Sequence, residues 1–141
     1  MKTKIILKNT STIDGRTVRR IIRFVLEHLP RMMPLAVRVQ DNRKDWVNGH
    51  ASPWASAVLL KVPKMKRLRL VPYQYAHLKK KVYWLWNRIE ILVYLAAHEI
   101  RHVWQQQFPK SGRYPNSRGK FSEVDTESFA IHILRAWRKT Q

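Results

Sequence analysis

Residues 88–107, RIEILVYLAAHEIRHVWQQQ, constrain this chain more than any other stretch. Asn87 with Glu90 three residues on is close to a capping box, and Pro109 stops a helix that starts there. The segment therefore predicts a helix from Arg88 to Gln107. Ile89, Leu92, Val93, Ala96, Ala97 and Ile100 form one apolar face, and Ile91, Tyr94 and Leu95 cover much of the other. A helix apolar on nearly all sides in its first half has to be wrapped by the rest of the chain. Yet His98, Glu99 and His102 sit inside it. Buried imidazole and carboxylate groups are costly unless something compensates them.

The remaining chain supplies the wrapping. KIILK at Lys4–Lys8 predicts a short strand. From Asp14 to Leu29 the residues Val18, Ile21, Ile22, Val25, Leu26 and Leu29 recur at helical spacing, opposite a stripe of Arg16, Arg19, Arg20 and Arg23. Pro30 and Pro34 end that helix. LAVRVQ at Leu35–Gln40 alternates like a half-buried strand, and residues 41–54 read as a loop with an Asn48-Gly49 turn signal. Ser56–Val62 and Arg67–Val71 predict two more strands, while KKKVYWLW is ambiguous between strand and helix lead-in. Residues 109–121 read as a loop, and Ser122 caps a last helix running to about Lys139. The order β-α-β-β-β-α-α predicts one α+β domain over residues 1–141.

The chemistry lies in HEIRH. His98 and His102, four apart on a helix, project from one face about a turn apart, the spacing at which two imidazoles share one metal ion. Glu99 stands beside them, placed to take a proton from a water that zinc acidifies. The plainer alternative is two hydrogen-bonded core histidines and a surface acid. An open catalytic zinc site uses three protein ligands. Downstream, the candidates are Glu123, Asp125, Glu127 and His132. At roughly 100° per residue, Glu123 shares the inward face with Thr126, Glu127, Ala130, Ile133, Leu134 and Trp137. Asp125 and His132 fall opposite, among Ser128, Arg135 and Lys139. Glu123 is therefore the expected third ligand, and one zinc ion the expected cofactor, although a His₂Glu set also suits other divalent ions. Glu127, one turn on, is placed to accept a hydrogen bond from a ligand histidine. It would serve equally as a partner for an arginine.

These residues resemble the zincin metallopeptidases, in the gluzincin pattern of HExxH followed by a glutamate on the next helix. SEVDTESFAIHIL is similar to the corresponding segment of short ImmA/IrrE-like zincins, with Glu123, Phe129, Ala130 and Leu134 matching. Glu127 stands where thermolysin-like enzymes carry an aspartate, and Thr126 where alanine is common. Arg101, inside the motif, is bulkier and more charged than the residue often found before the second histidine. The resemblance implies a minimal zincin-like fold, with a small, mostly antiparallel sheet packed on the HExxH helix and the C-terminal helix. It also implies an antiparallel edge strand over the metal, for which Ser56–Val62 is the candidate, with an extended peptide adding alongside. The implied activity is a zinc metalloendopeptidase with Glu99 as general base. For the oxyanion, Tyr114, His50, Tyr94 and the loop arginines remain open. His28 and His77 read as ordinary helix-end or loop histidines.

Charge bears on partners. The chain carries 28 Lys and Arg against nine Asp and Glu, a formal net charge of +19, and has no acid between Asp45 and Glu90. A polyanion is the usual reason for such an excess, so DNA, RNA or an acidic protein is expected near the peptide substrate. Two other readings stand beside the peptidase. One is a nucleic-acid-binding module with a structural zinc, using Arg16–Arg23 and the rings of Tyr73, Tyr75, Tyr83, Trp84 and Trp86. For the tryptophans, core packing is the simpler expectation. The other is a phage or mobile-element component in which an inactive zincin fold docks onto another protein. With no cysteine there are no disulfides or thiolate ligands. The longest apolar run, Ile91–Ala97, is far short of the ~18 residues of a membrane span, and a cytoplasmic protein without a signal peptide is expected.

Overall fold

The computed structural model describes residues 2–44, 48–65, 67–70, 83–107 and 120–141, the side chains of residues 53 and 120–122 excepted. Six strands and three helices are formed among them: β1 (Ile5–Asn9), α1 (Gly15–Leu26), β2 (Leu35–Asn42), β3 (Asn48–Ser52), β4 (Ala57–Pro63), β5 (Leu68–Leu70), β6 (Tyr83–Leu85), α2 (Arg88–Gln107) and α3 (Lys120–Lys139). The expected loop at 109–121 lies outside the described residues up to 119. Tyr73, Tyr75, His77 and Tyr114 lie outside them too.

α1 starts where Asp14 accepts a hydrogen bond from the Thr17 amide at 3.2 Å, satisfying one of the free donors of the first turn. Val18, Ile21, Ile22 and Val25 are wholly buried along its inner stripe. It ends three residues earlier than the apolar spacing suggested. His28 and Leu29 bond back to Val25 and Leu26, the tighter geometry of a closing turn before Pro30.

The four-stranded sheet runs in the order β1-β2-β4-β3. β1 pairs with β2, and β2 with β4, in parallel; only β3 and β4 are antiparallel. The sheet is therefore mixed, and the expected mostly antiparallel sheet is corrected. β1 and β2 are joined through α1, and such a helical crossover brings the second strand back parallel to the first. A second correction concerns the edge. Ser56–Val62 was the expected edge strand, but β4 lies inside the sheet, with Leu60 and Val62 wholly buried. The antiparallel edge is β3, formed by residues expected to be loop. The chain turns between them through a 3-10 turn at Pro53–Ala55 and Ser56, whose φ of 48° is left-handed. The Ser56 hydroxyl accepts a hydrogen bond from Gln107 at 2.9 Å, so the end of α2 holds this turn. β5 and β6 form a separate antiparallel pair.

α2 occupies the centre and contacts α1, α3, β3 and β4. That explains its all-round apolar sequence: Ile91, Leu92, Val93, Ala96, Ala97 and Ile100 are wholly buried. Each buried leucine or isoleucine is worth about 1.5–3 kcal/mol. Asn87 caps the helix by accepting from the Glu90 amide at 2.9 Å. Glu90 reaches back to the Trp86 amide and also receives Arg138 of α3 at 2.7 and 3.0 Å. Arg88 ties the same helix end to the sheet, bonding Asp41 at 2.5 Å, Thr12 at 2.7 Å and the Pro63 carbonyl at 3.0 Å.

Candidate metal centre

His98 and His102 sit on the central turns of α2, which the sheet and two helices hold from several sides. Their rings are 5.0 Å apart, as spacing of four on a helix requires. Glu123, in the first turn of α3, comes to them from the neighbouring helix. Its Oε2 lies 3.1 Å from His98 Nε2, and its Oε1 lies 2.8 Å from His102 Nε2. One ligand atom from each residue falls within 4.8 Å of the others. Among the described residues this is the cluster of metal-ligating side chains. Of the expected third ligands, Glu123 is thus brought to the histidines. His132 is exposed and stacks edge-on near His28.

The electrostatics follow from that convergence. Hydrogen bonds from His102 and His98 hold the Glu123 carboxyl far below the ordinary carboxylate range. Burial alone would lower the His102 imidazole, but its bond to Glu123 and that group's charge raise it. Glu99 is 8% exposed, and burial raises its carboxyl above the ordinary value, the two histidine charges opposing. Burial pushes Glu127 up to about 7. Its Oε2 and the Nδ1 of His98 are both buried, and neither has a hydrogen-bond partner among the described residues. The expected bond from a ligand histidine to Glu127 is therefore not formed, although His98 and Glu127 lie within electrostatic reach.

Three residues that sequence reasoning misplaced or passed over complete the surroundings. Asp125, expected to point to solvent, is 4% exposed. It takes two hydrogen bonds from Arg101, at 2.8 and 3.0 Å, and one from Gln105 at 2.8 Å. Arg101, the apparent misfit of the motif, lies 3.8 Å over the Trp104 ring and 4.7 Å from Phe129. A guanidinium flanked by rings and bound by both carboxylate oxygens is well compensated. A charged residue inside HEIRH and an acid in the next helix were the available signal for this pair. Gly49 of β3 lies against Glu99: a methyl group there would come within 2.8 Å of Glu99 Cγ and of Leu95 Cδ1. His50, next to it, is within electrostatic reach of Glu99.

The donor set suits a metal. Two imidazole nitrogens and one carboxylate can together hold a divalent ion, and Glu123 lies against both Nε2 atoms. Comparison of the chain with protein-family models, with curated proteins and with solved structures finds no match in any of the three.

Proposed function

We propose that the chain is a zinc-dependent metallopeptidase that works beside a polyanion. The observation that carries this is the convergence of His98, His102 and Glu123 from two helices, with the buried carboxyl of Glu99 adjacent. A zinc ion bound there would acidify a water molecule and polarise a peptide carbonyl. This chain's own residues do the rest. Glu99 accepts a proton at a carboxylate oxygen and returns it to the leaving amine, for which a raised pKa is an advantage. Gly49 allows the edge strand to lie directly on Glu99, and the outer edge of β3, unpaired among the described residues, would offer backbone hydrogen bonds to an extended peptide.

The polyanion reading rests on the sheet face turned away from the helices. Lys8 lies directly opposite Arg38 in the register of β1 and β2, and Lys61 follows on β4. Like charges side by side on neighbouring strands repel unless something neutralises them. A groove lined by Ile6, Lys8, Arg38, His50 and Leu59 runs across this face. Phosphates of a nucleic acid would supply the missing charge. Trp54, 85% exposed just beyond β3, and Trp86, 54% exposed and stacked on Trp84, add rings at the surface. Neither Trp54 nor Trp86 is a core residue, contrary to the simpler expectation for Trp86.

Zinc content and cleavage of a fluorogenic peptide pool test the reading. Wild type should carry one zinc and cleave. Glu99→Gln should keep zinc and lose cleavage, and His98→Ala and Glu123→Ala should lose zinc. A wild type that binds no zinc sinks the proposal; one that binds zinc and cleaves nothing leaves the structural-zinc alternative standing.

A further inference from the structure

Resting on the metal reading above, we propose that Gln105, oriented by Asp125 and Arg101, is a positioning residue that holds a proton on Nδ1 of His102 and so makes Nε2 the nitrogen that takes the metal. Both oxygens of Asp125 accept guanidinium N–H bonds from Arg101, at 2.8 and 3.0 Å, so the carboxylate has only acceptors to offer. Gln105 meets one of those oxygens at 2.8 Å. The amide must present its NH₂ there, since its carbonyl would face another acceptor. Its orientation is thereby decided by chemistry and not by choice of atom assignment.

With its NH₂ on Asp125, Gln105 turns its carbonyl oxygen to His102 Nδ1, 3.3 Å away. A carbonyl oxygen accepts and cannot donate, so Nδ1 has to carry a proton. Without metal, Nε2 donates to Glu123; with the other proton held on Nδ1, the Nε2 proton is the one a metal would replace, leaving the lone pair there for the ion. Free histidine prefers the opposite tautomer, so the protein does work here that the ring alone would not. The source of rigidity is Arg101, held between Trp104 and Phe129 across the α2–α3 contact. His98 has no such device, because its Nδ1 is buried without a partner among the described residues. The two histidines are thus unequal: His102 is the anchored ligand.

The test compares zinc affinity, by competition with a chromophoric chelator, in wild type, Gln105→Leu and Gln105→Met. Melting of the metal-free proteins and proton–nitrogen correlation spectra of the zinc-loaded ones accompany it. Removing a hydrogen-bond acceptor behind a ligand histidine weakens metal binding by roughly ten- to hundredfold, and that loss is expected in both variants with metal-free melting little changed. In zinc-loaded wild type the His102 ring should show a protonated Nδ1 shielded from exchange, and both variants should lose that signal. Unchanged zinc affinity in the variants, or zinc on Nδ1 of His102 in wild type, overturns the proposal. If the variants do not fold, the wild-type spectrum decides alone. A wild type that binds no zinc overturns the metal reading itself, and this is seen before any variant is made.

Discussion

Replacing Gly49 by alanine should disturb Glu99, the proposed base, without touching the proposed metal ligands. The added methyl would sit 2.8 Å from Glu99 Cγ, 2.8 Å from Leu95 Cδ1 and 3.0 Å from Glu99 Cδ. Carbon atoms pack comfortably at about 3.5–4.0 Å, so these groups or the strand must give way by roughly 0.7 Å or more. Leu95 and Glu99 are both buried, so relieving the clash displaces the Glu99 side chain or the strand that lies on it. A misplacement of about 1 Å at a reacting group costs on the order of a hundredfold in rate. Overpacking should cost a further 1–3 kcal/mol, roughly, in stability. For a chain of this size that is roughly 4 °C in melting temperature per kcal/mol. His98, His102 and Glu123 lie off the strand, so the zinc content proposed for wild type should be kept in the variant. The assay is kcat/KM on a peptide that wild type cleaves, with zinc content and a melting curve on the same preparation. Gly49→Ala with undiminished kcat/KM and an unchanged melt would refute the idea that β3 lies against Glu99.

Other outcomes follow from the same geometry. Burial pushes the Asp41 and Glu90 carboxyls up, but Arg88 and Thr12 on one, and Arg138 and the Trp86 amide on the other, hold both below their ordinary values. The stability they contribute is complete above the unfolded pKa, near 4, and is lost as pH falls through the lower folded values. Asp41→Asn and Glu90→Gln should therefore show shallower acid destabilisation in pH-dependent urea melts than wild type. Leu60→Ala, wholly buried inside the sheet, should cost about 2–5 kcal/mol. Trp54→Ser, at an exposed turn, should cost under about 0.5 kcal/mol, and equal losses in the two would contradict the layering. If nucleic acid lies on the open sheet face, Lys8→Ser with Arg38→Ser should weaken binding to a single-stranded oligonucleotide and flatten its salt dependence by about one phosphate contact each. An unchanged slope would place the contact elsewhere.

The sequence was most readable where one constraint dominated. The start of α2 coincides with the expected one because the Asn87 cap is a local signal. Glu123 was found by helical phase, since an inward face is set by the apolar residues around it. Phase failed for Asp125 on the same helix. A side chain two residues from Glu123 is turned well away from it, but Arg101 of α2 reaches round that flank and brings the acid indoors. Pairing across helices is not written in either helix alone. The edge strand was missed for a related reason. NGHAS carries turn residues and little apolar surface, and it is a strand because β4 offers it a ladder on one side. Its glycine, read as a turn signal, is instead the place where a backbone must approach Glu99.

The threading of the sheet has a consequence for how the molecule breathes. β4 enters between β2 and β3, so among the described residues β3 is bonded to the sheet through β4 alone, while β4 itself is gripped on both sides. Peeling β3 away breaks one antiparallel ladder and leaves the parallel layers intact. Amide hydrogens of Asn48–Ser52 should exchange with solvent well before those of β2 and β4, from openings that fall short of global unfolding. The part of the protein that lies on Glu99 is then the part that can lift away from it, and each such opening admits solvent to the buried carboxyl.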